Sequence, residues 1–215
     1  MRSSSAELLD AATGAPVAAP GPTVQLQGSR VARALMRLCG WRVQFDGLPA
    51  AQGVLAVYPH TSNWDFVWAL LAKWAIGIPV TFWAKDTLFK PPLFGRWLRW
   101  LGGRPVERDA PRGAVGQMAA QLRQARERGA FMWLALSPEG TRSLTPGWRT
   151  GFYQVALQAE VPVTLAYLDY GRREVGFDSS WRLSGHREND LARFAPRLAD
   201  RRARRPELAA PVRFL

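Results

Sequence analysis

One of the two histidines of the chain is followed by a carboxylate at a spacing that suits acid–base chemistry: His60 precedes Asp65 in the stretch HTSNWD. An imidazole can accept a proton from a hydroxyl near neutral pH, and a neighbouring carboxylate fixes its tautomer. Because the sequence has no G-x-S-x-G pattern to supply a serine nucleophile, the activated hydroxyl could belong to a substrate. Ser62 and Asp65 also form S-x-x-D, a helix-capping pattern, so a structural role is the alternative.

A second group of reactive residue types occupies the stretch PEGTRS at residues 138–143, directly after an apolar run. Gly140 permits a tight turn or a close backbone approach. Thr141 offers a hydroxyl, and Arg142 offers a planar guanidinium that suits phosphate. The loop lacks the spacing of a nucleotide P-loop, and taken alone it is equally typical of a structural turn.

A third stretch, residues 85–108, combines cations with aromatic rings. Lys85 and Arg108 are candidate phosphate ligands at its two ends. The segment RWLRW at residues 96–100 alternates arginine with tryptophan, a combination that favours the interface between lipid headgroups and acyl chains. A helix whose aromatic side chains simply cover the core is an equally good interpretation.

The apolar pattern predicts the elements that carry these residues. Four continuous apolar runs indicate strands buried on both faces, which is typical of a parallel sheet covered by helices. The predicted strands are Val54–Tyr58, Val80–Ala84, Phe131–Leu136 and Val161–Leu168, and the predicted helices are Asn63–Ile76, Pro92–Leu101, Ala114–Arg128 and Arg149–Ala159. We therefore predict one α/β domain of three layers, with a mostly parallel central sheet and helices on both faces. The candidate residues follow strand ends, where such sheets bind ligands.

The remaining segments divide the chain into a tail and one domain. Residues 1–22 are rich in Ser, Ala, Pro and Gly and are predicted to form a mobile tail, and residues 23–215 the folded domain. The segment Ser29–Trp41 predicts an amphipathic helix that either lies in a membrane interface or packs on the domain. Towards the other end, Glu174–Leu183 could add strands and Asp190–Arg205 a basic helix. Residues 182–215 hold nine arginines against four acidic residues, which suits either a solvated face or lipid headgroups.

Composition narrows the possible partners and classes. The chain carries 29 basic and 17 acidic residues, a net charge of +12, which implies a partner with negative charge unless the arginine excess is only compositional bias. Ten Trp and ten Phe exclude a mostly disordered chain, and the single cysteine, Cys39, excludes a disulfide scaffold and a zinc finger. No run of about 20 residues lacks both charge and proline, so a simple spanning helix is not predicted.

Together, the blocks resemble the glycerolipid acyltransferase family typified by 1-acylglycerol-3-phosphate acyltransferases. The resemblance covers about residues 50–168, with the blocks in the order that the family has. The matching positions are His60, Ser62 and Asp65; then Lys85, Leu88, Pro92, Gly95, Gly102, Gly103, Val106 and Arg108; then 138–143; then Val161, Pro162 and Val163. The departures include Arg149 in place of a frequent lysine, a missing second proline after Val163, and Asn63 and Trp64 in the first block. They indicate a compact bacterial branch whose acceptor the motifs do not define.

The resemblance implies transfer of an acyl chain from acyl-CoA or acyl carrier protein to a hydroxyl of a lysophospholipid or glycerol-phosphate-like acceptor. His60 would be the general base and Asp65 its partner. Residues expected to bind substrate are Ser62, Lys85, Arg108, Glu139, Gly140, Thr141 and Arg142, of which the three cationic ones would hold acceptor phosphate. No metal or cofactor is expected beyond the thioester co-substrate.

The resemblance also implies a cellular localisation for the protein. It leaves two alternative functions open. We expect a cytoplasmic protein that is peripheral on the inner face of the cell membrane and contacts an anionic membrane surface, with no nucleic acid as partner. One alternative is the same fold acting on an amino-acid lipid or a sugar lipid. The other is a non-catalytic module that docks on anionic lipid or nucleic acid through its arginines.

Overall fold

A single mixed sheet forms the centre of the protein. The computed structural model of the chain describes residues 6–106 and 111–215, in which eight strands are joined in the order β1-β8-β7-β3-β6-β4-β5, with β2 also paired to β8. The strands are β1 (Leu8–Asp10), β2 (Arg42–Gln44), β3 (Gln52–Tyr58), β4 (Val80–Lys85), β5 (Gly103–Val106), β6 (Met132–Leu136), β7 (Val163–Asp169) and β8 (Glu174–Arg182). Only the β7–β8 pair is antiparallel among these described strands, so the carboxyl ends of β3, β4, β6 and β7 share one edge.

Helices cover both faces of this sheet. They are α1 (Arg30–Leu38), α2 (Asn63–Ile76), α3 (Pro92–Trp100), α4 (Pro111–Glu127), α5 (Gly151–Ala159) and α6 (Arg187–Leu198), with short 3-10 helices at Asp86–Phe89 and Pro206–Leu208. Alternate residues of β3 supply the two cores, because successive strand side chains point to opposite faces. Val54 and Ala56 pack with α4, α5 and α6, whereas Leu55 packs with the α2 side.

The predicted architecture is confirmed, and the elements fall close to the predicted positions. All four apolar runs form strands, and the helix predicted at Asn63–Ile76 has these bounds in the structure. That helix begins at a capping box formed by Ser62 and Asp65 and ends at Gly77, whose φ of 88° is the left-handed conformation that glycine adopts without strain. The bounds of this helix could be predicted because a capping residue precedes it and a glycine ends it.

Three parts of the sequence prediction require correction. The prediction of a mobile tail overlooked β1, which lies within residues 1–22 and pairs with the end of β8. The basic helix predicted at 190–205 begins earlier, at Arg187, and ends at Leu198. The short strands β2 and β5 were not predicted. Strands of three or four residues carry too little periodicity to be recognised, because their neighbours in the sheet decide whether they form.

The segment after α6 runs back across the carboxyl edge of the sheet. The backbone N–H of Arg205 donates to Oγ1 of Thr61 across 3.2 Å, and the Tyr58 hydroxyl donates to the carbonyl of Ala210 across 3.0 Å. Both Tyr58 and Thr61 flank the loop that follows β3. The C-terminal segment, residues 199–215, is therefore part of the structure that holds this loop.

Candidate active site

The first two predicted motifs meet at the carboxyl edge of the sheet. His60 lies in the short loop between β3 and α2, and Glu139 lies three residues after the end of β6, the strand that pairs with β3. The backbone N–H of His60 donates to Oε2 of Glu139 across 2.6 Å. Residues separated by 79 positions in the chain are thus brought together by the pairing of two parallel strands.

His60 and Asp65 form the contact that their spacing predicted. Nδ1 of the imidazole lies 3.3 Å from Oδ2 of Asp65, and the side chains are 21% and 2% exposed respectively. Because Nδ1 faces the carboxylate, Nε2 lies on the opposite edge of the ring, where it can accept a proton from another molecule. The carboxylate is shielded from water while the imidazole stays accessible, as a general base requires.

The Asp65 carboxylate accepts three hydrogen bonds in addition to its contact with the histidine. Its Oδ2 accepts the backbone N–H groups of Thr61 and Ser62 across 2.7 and 2.8 Å, and its Oδ1 accepts the Tyr170 hydroxyl across 2.7 Å. Burial raises the pKa of the Asp65 carboxyl, but the hydrogen bonds from His60, Tyr170 and Ser62 outweigh it, so this pKa lies below its ordinary value. The capping role and the orienting role of Asp65 therefore coexist in one side chain.

Glu139 is buried and both of its carboxylate oxygens accept backbone N–H groups. Oε2 accepts from His60, and Oε1 accepts from Ala210 across 3.1 Å. Burial raises the pKa of Glu139 to about 7, against the opposing effect of those two hydrogen bonds. The family resemblance predicted that this residue shapes the acceptor site, whereas its contacts join the His60 loop to the C-terminal segment. The described hydrogen bonds of Glu139 hold the His60 loop against the C-terminal segment, and its role towards an acceptor stays a prediction.

The rest of the PEGTRS loop lies against the beginning of α2. Nε of Arg142 donates to the carbonyl of Ser62 across 3.2 Å. This contact holds the guanidinium against the residue two positions after His60. Gly140 has a φ of +67°, and a Cβ there would lie 2.8 Å from Cδ of Arg149, so a larger residue would be strained and crowded. Thr141 accepts the N–H of Ser143 across 3.3 Å and so stabilises the turn.

The other two predicted cationic residues are placed differently. Lys85 is exposed at the end of β4, and β6 separates this strand from β3, so the lysine backbone lies about 10 Å from the His60 loop. Arg108 lies outside the described residues. Within residues 6–106 and 111–215, no three His, Cys, Asp or Glu side chains cluster as metal ligands would.

An apolar cavity of about 190 Å³ lies between α2 and the sheet, and His60 and Asp65 belong to its lining. The wall on the α2 side runs from Phe66 through Ala69 to Ile76. The eleven residue steps of helix from Asp65 to Ile76 correspond to about 16 Å along the axis. The cavity therefore extends along α2, and the histidine lies at its end near the sheet edge.

Comparison with known proteins gives a family for this chain. Residues 40–167, which are 128 of the 215 residues, match the family described as Acyltransferase. The chain belongs to the acyltransferase family. A solved structure with a similar fold is the crystal structure of the 1-acyl-sn-glycerophosphate (LPA) acyltransferase, PlsC, from Thermotoga maritima, with 18% sequence identity, a TM-score of 0.49, and coverage of 80% of this chain and 78% of that chain. No match was found among curated proteins.

Two residues at the site of this acyltransferase were not among the predicted site residues. Tyr170 directly follows β7 and donates to Asp65, and Ser137 directly follows β6 and lines the cavity. The signal that could have indicated them is their position, because each is the first residue after a strand at the ligand-binding edge. Neither belongs to the motifs that carry the family resemblance.

Several large apolar side chains on α1 and α3 of the acyltransferase are exposed to solvent. On α1, Leu38 is 85% exposed and lies on the same side as Val31 and Leu35, while on α3, Leu93 is 79% exposed and Trp100 is similarly accessible. Arginines flank both groups, at Arg30, Arg33, Arg37, Arg96 and Arg99. None of the helices in the described part of the chain has the length and hydropathy needed to cross a bilayer.

Proposed function

We propose that this acyltransferase moves a fatty acyl chain from a thioester, either acyl-CoA or acyl carrier protein, to a hydroxyl of a lysophospholipid or glycerol-phosphate-like acceptor. The observation that carries the proposal is that the His60–Asp65 pair and the apolar cavity share one lining. An alkyl chain gains about 0.8 kcal/mol for each CH₂ that it buries. The apolar lining would therefore favour binding of the alkyl chain, with its carbonyl carbon beside the imidazole.

The reaction needs no covalent intermediate on the protein. Nε2 of His60 accepts the proton of the acceptor hydroxyl while that oxygen attacks the carbonyl carbon of the thioester. The tetrahedral intermediate collapses by breaking the C–S bond, and the leaving thiolate takes the proton from the imidazolium. Asp65 stabilises the charged ring during this sequence, since its lowered pKa keeps it ionised.

An anionic acceptor fits the charges around the histidine. Arg142 is held beside the loop of His60 through its bond to Ser62, and Lys85 lies at the same edge of the sheet. A guanidinium and an ammonium at this edge attract phosphate, with the arginine able to make a bidentate contact. Arg108 would join them, as the motif resemblance implies. The acceptor phosphate would then orient the hydroxyl towards Nε2.

The exposed apolar residues of α1 and α3 support binding of the protein to a membrane surface. Apolar side chains bordered by arginines suit the headgroup region of an anionic bilayer, where rings and alkyl groups enter the acyl boundary and guanidinium groups meet phosphate. Lysophospholipids reside in that layer, so docking of α1 and α3 on the bilayer would bring the active site close to the acceptor. The proposal places the protein on the inner, cytoplasmic face of the cell membrane.

Replacement of the histidine tests the proposed reaction. His60→Ala should lower thiol release from acyl-CoA by about 10²- to 10⁴-fold, because a general base contributes that much. His186→Ala is the matched control, since His186 is the other histidine of the chain and is exposed beside α6. Turnover of His60→Ala within a few-fold of the unmodified protein would contradict the assigned base.

An acceptor panel tests the substrate class. Lysophosphatidate, a neutral monoacylglycerol, an amino-acid lipid and a sugar lipid are offered with one acyl-CoA and one acylated carrier protein, and the products are identified by mass. The proposal expects the phosphate-bearing acceptor to be acylated fastest. Acylation confined to an amino-acid or sugar lipid would reassign the acceptor, and binding to anionic vesicles without thiol release would support the non-catalytic alternative.

A further inference from the structure

One polar atom in the wall of the cavity is left without a partner. Ser137 directly follows β6 and lines the cavity together with His60. Its Oγ is buried and has no hydrogen-bond partner within residues 6–106 and 111–215. Buried hydroxyl groups in proteins are normally hydrogen-bonded, so such an atom requires an explanation. A ligand that brings an acceptor to this position would satisfy it.

Three other polar side chains of the lining, Lys73, Tyr167 and Asp65, have hydrogen-bond partners in the described part of the chain. Lys73 donates to the carbonyl of Leu101, the Tyr167 hydroxyl donates to Glu174 across 2.6 Å, and Asp65 accepts from its neighbours as described above. These groups tie the walls together and leave their surroundings apolar. The Ser137 hydroxyl differs from these three because it is buried at the cavity wall and its hydrogen is free to be donated to a ligand.

Strand pairing places this hydroxyl beside the catalytic loop. In the register of β3 and β6, Leu136 is opposite Ala56, so Ser137 lies beside the last residues of β3, from which the chain continues to His60. The hydrogen bond from His60 to Glu139 fixes the loops that follow the two strands relative to one another. The hydroxyl and the imidazole therefore border the same end of the cavity.

We propose that Ser137 donates its hydroxyl hydrogen to the carbonyl oxygen of the thioester. The inference rests on the proposed acyl transfer, because a saturated alkyl chain offers no acceptor and its thioester carbonyl does. As the acceptor oxygen bonds to the carbonyl carbon, the C=O electron pair moves to oxygen, and the donated hydrogen bond strengthens with that charge. The charge returns when the C–S bond breaks, and Ser137 keeps its proton throughout.

Three variants test this role. Ser137→Ala removes the donor, Ser137→Thr keeps a hydroxyl, and Thr164→Val is the control because it removes a buried hydroxyl that bonds to Ser180 across 2.7 Å, away from the cavity lining. We expect Ser137→Ala to lower kcat and kcat/KM equally, by about 10²-fold, with unchanged KM for both substrates. Ser137→Thr should retain activity within about tenfold of the unmodified enzyme.

Thermal stability separates a catalytic donor from a structural one. Removing an unsatisfied buried hydroxyl should leave the Tm of Ser137→Ala unchanged or raised, while Thr164→Val should lower Tm and leave kcat intact. A Ser137→Ala enzyme with normal kcat, with a raised KM alone, or with Tm and activity lost together would overturn the inference. If the unmodified protein releases no thiol from any acyl-CoA or acyl carrier protein, the proposed function fails and takes this inference with it.

Discussion

The Tyr170 hydroxyl donates to Oδ1 of Asp65 across 2.7 Å, on the oxygen that does not face His60. Burial and the adjacent carboxylate raise the pKa of Tyr170, so the phenol stays protonated and remains a donor at all physiological pH values. The ring is held in place by an edge contact with Trp41, whose own ring stacks on Trp68 at 4.3 Å. A residue 105 positions away thus orients the carboxylate that orients the histidine.

Tyr170→Phe should alter the pH dependence of the reaction as well as its rate. Without the phenol, the Asp65 carboxylate has one hydrogen-bond donor fewer to neutralise its charge. It therefore stabilises the protonated form of the His60–Asp65 pair more strongly. We expect the acidic limb of the kcat/KM profile to move to higher pH and kcat to fall about tenfold, the effect of one charge-assisted hydrogen bond. Tyr153→Phe is the control, because Tyr153 is buried and bonds Asp190 on the other side of the sheet. An unmoved limb would refute the positioning role.

Glu139 should make the protein less stable as pH rises through the weakly acidic range. Burial raises the pKa of Glu139 from its ordinary 4.5 to about 7, so the folded protein binds a proton that the unfolded chain releases. The contribution of this group to the free energy of unfolding is complete below pH 4.5. As pH rises from 4.5 to 7 this contribution is lost, which lowers the free energy of unfolding by about 3 kcal/mol.

Glu139→Gln isolates that contribution. Denaturant unfolding between pH 4 and 8 should show that the decline between 4.5 and 7 is absent in the variant, although its stability is lower overall because one backbone N–H loses its acceptor. Glu207→Gln, at an exposed position in the C-terminal segment, should keep the decline. Parallel stability curves for Glu139→Gln and the unmodified protein would show that Glu139 is ionised in both states.

Filling the cavity should shorten the acyl chains that the enzyme accepts. Ala69 lines the cavity on α2, and Ala69→Leu places three further carbons in empty space. We expect the free energy of unfolding to rise by about 1–2 kcal/mol, while kcat/KM for long-chain acyl-CoA falls by at least tenfold relative to short-chain donors. Ile76→Val, which removes one methyl at the far end, should move the preference in the opposite direction. Equal losses for all chain lengths would show that the chain binds elsewhere.

Introducing charge on the exposed side of α1 should weaken membrane binding. Leu38→Asp places a carboxylate among the apolar residues that we expect to enter the headgroup layer, so co-sedimentation with vesicles of anionic phospholipid should fall at least fivefold. Leu157→Asp is the control, because Leu157 is partly exposed on α5, across the sheet from α1. Equal effects of the two variants would indicate that net charge alone governs vesicle binding.

Much of the fold and of the central pair could be predicted from the residues. The Ser62 and Gly77 signals bound α2, and His60 and Asp65 are close enough in sequence for the start of that helix to bring them together. The apolar runs identified β3, β4, β6 and β7, because strands that are buried on both faces need continuous apolar residues. Short strands such as β1 were missed, since pairing with β8 decides their structure.

Only the tertiary structure decided what surrounds the pair. The partners of Asp65 and Glu139 at Tyr170 and Ala210 come from distant parts of the chain, and no local pattern encodes a contact across more than 70 residues. The cavity also exists only once α2 lies on the sheet, because its wall combines residues from several elements. Capping and strand periodicity depend on neighbours a few residues apart and can be read from sequence, whereas burial and partner identity depend on which surfaces the folded chain brings together.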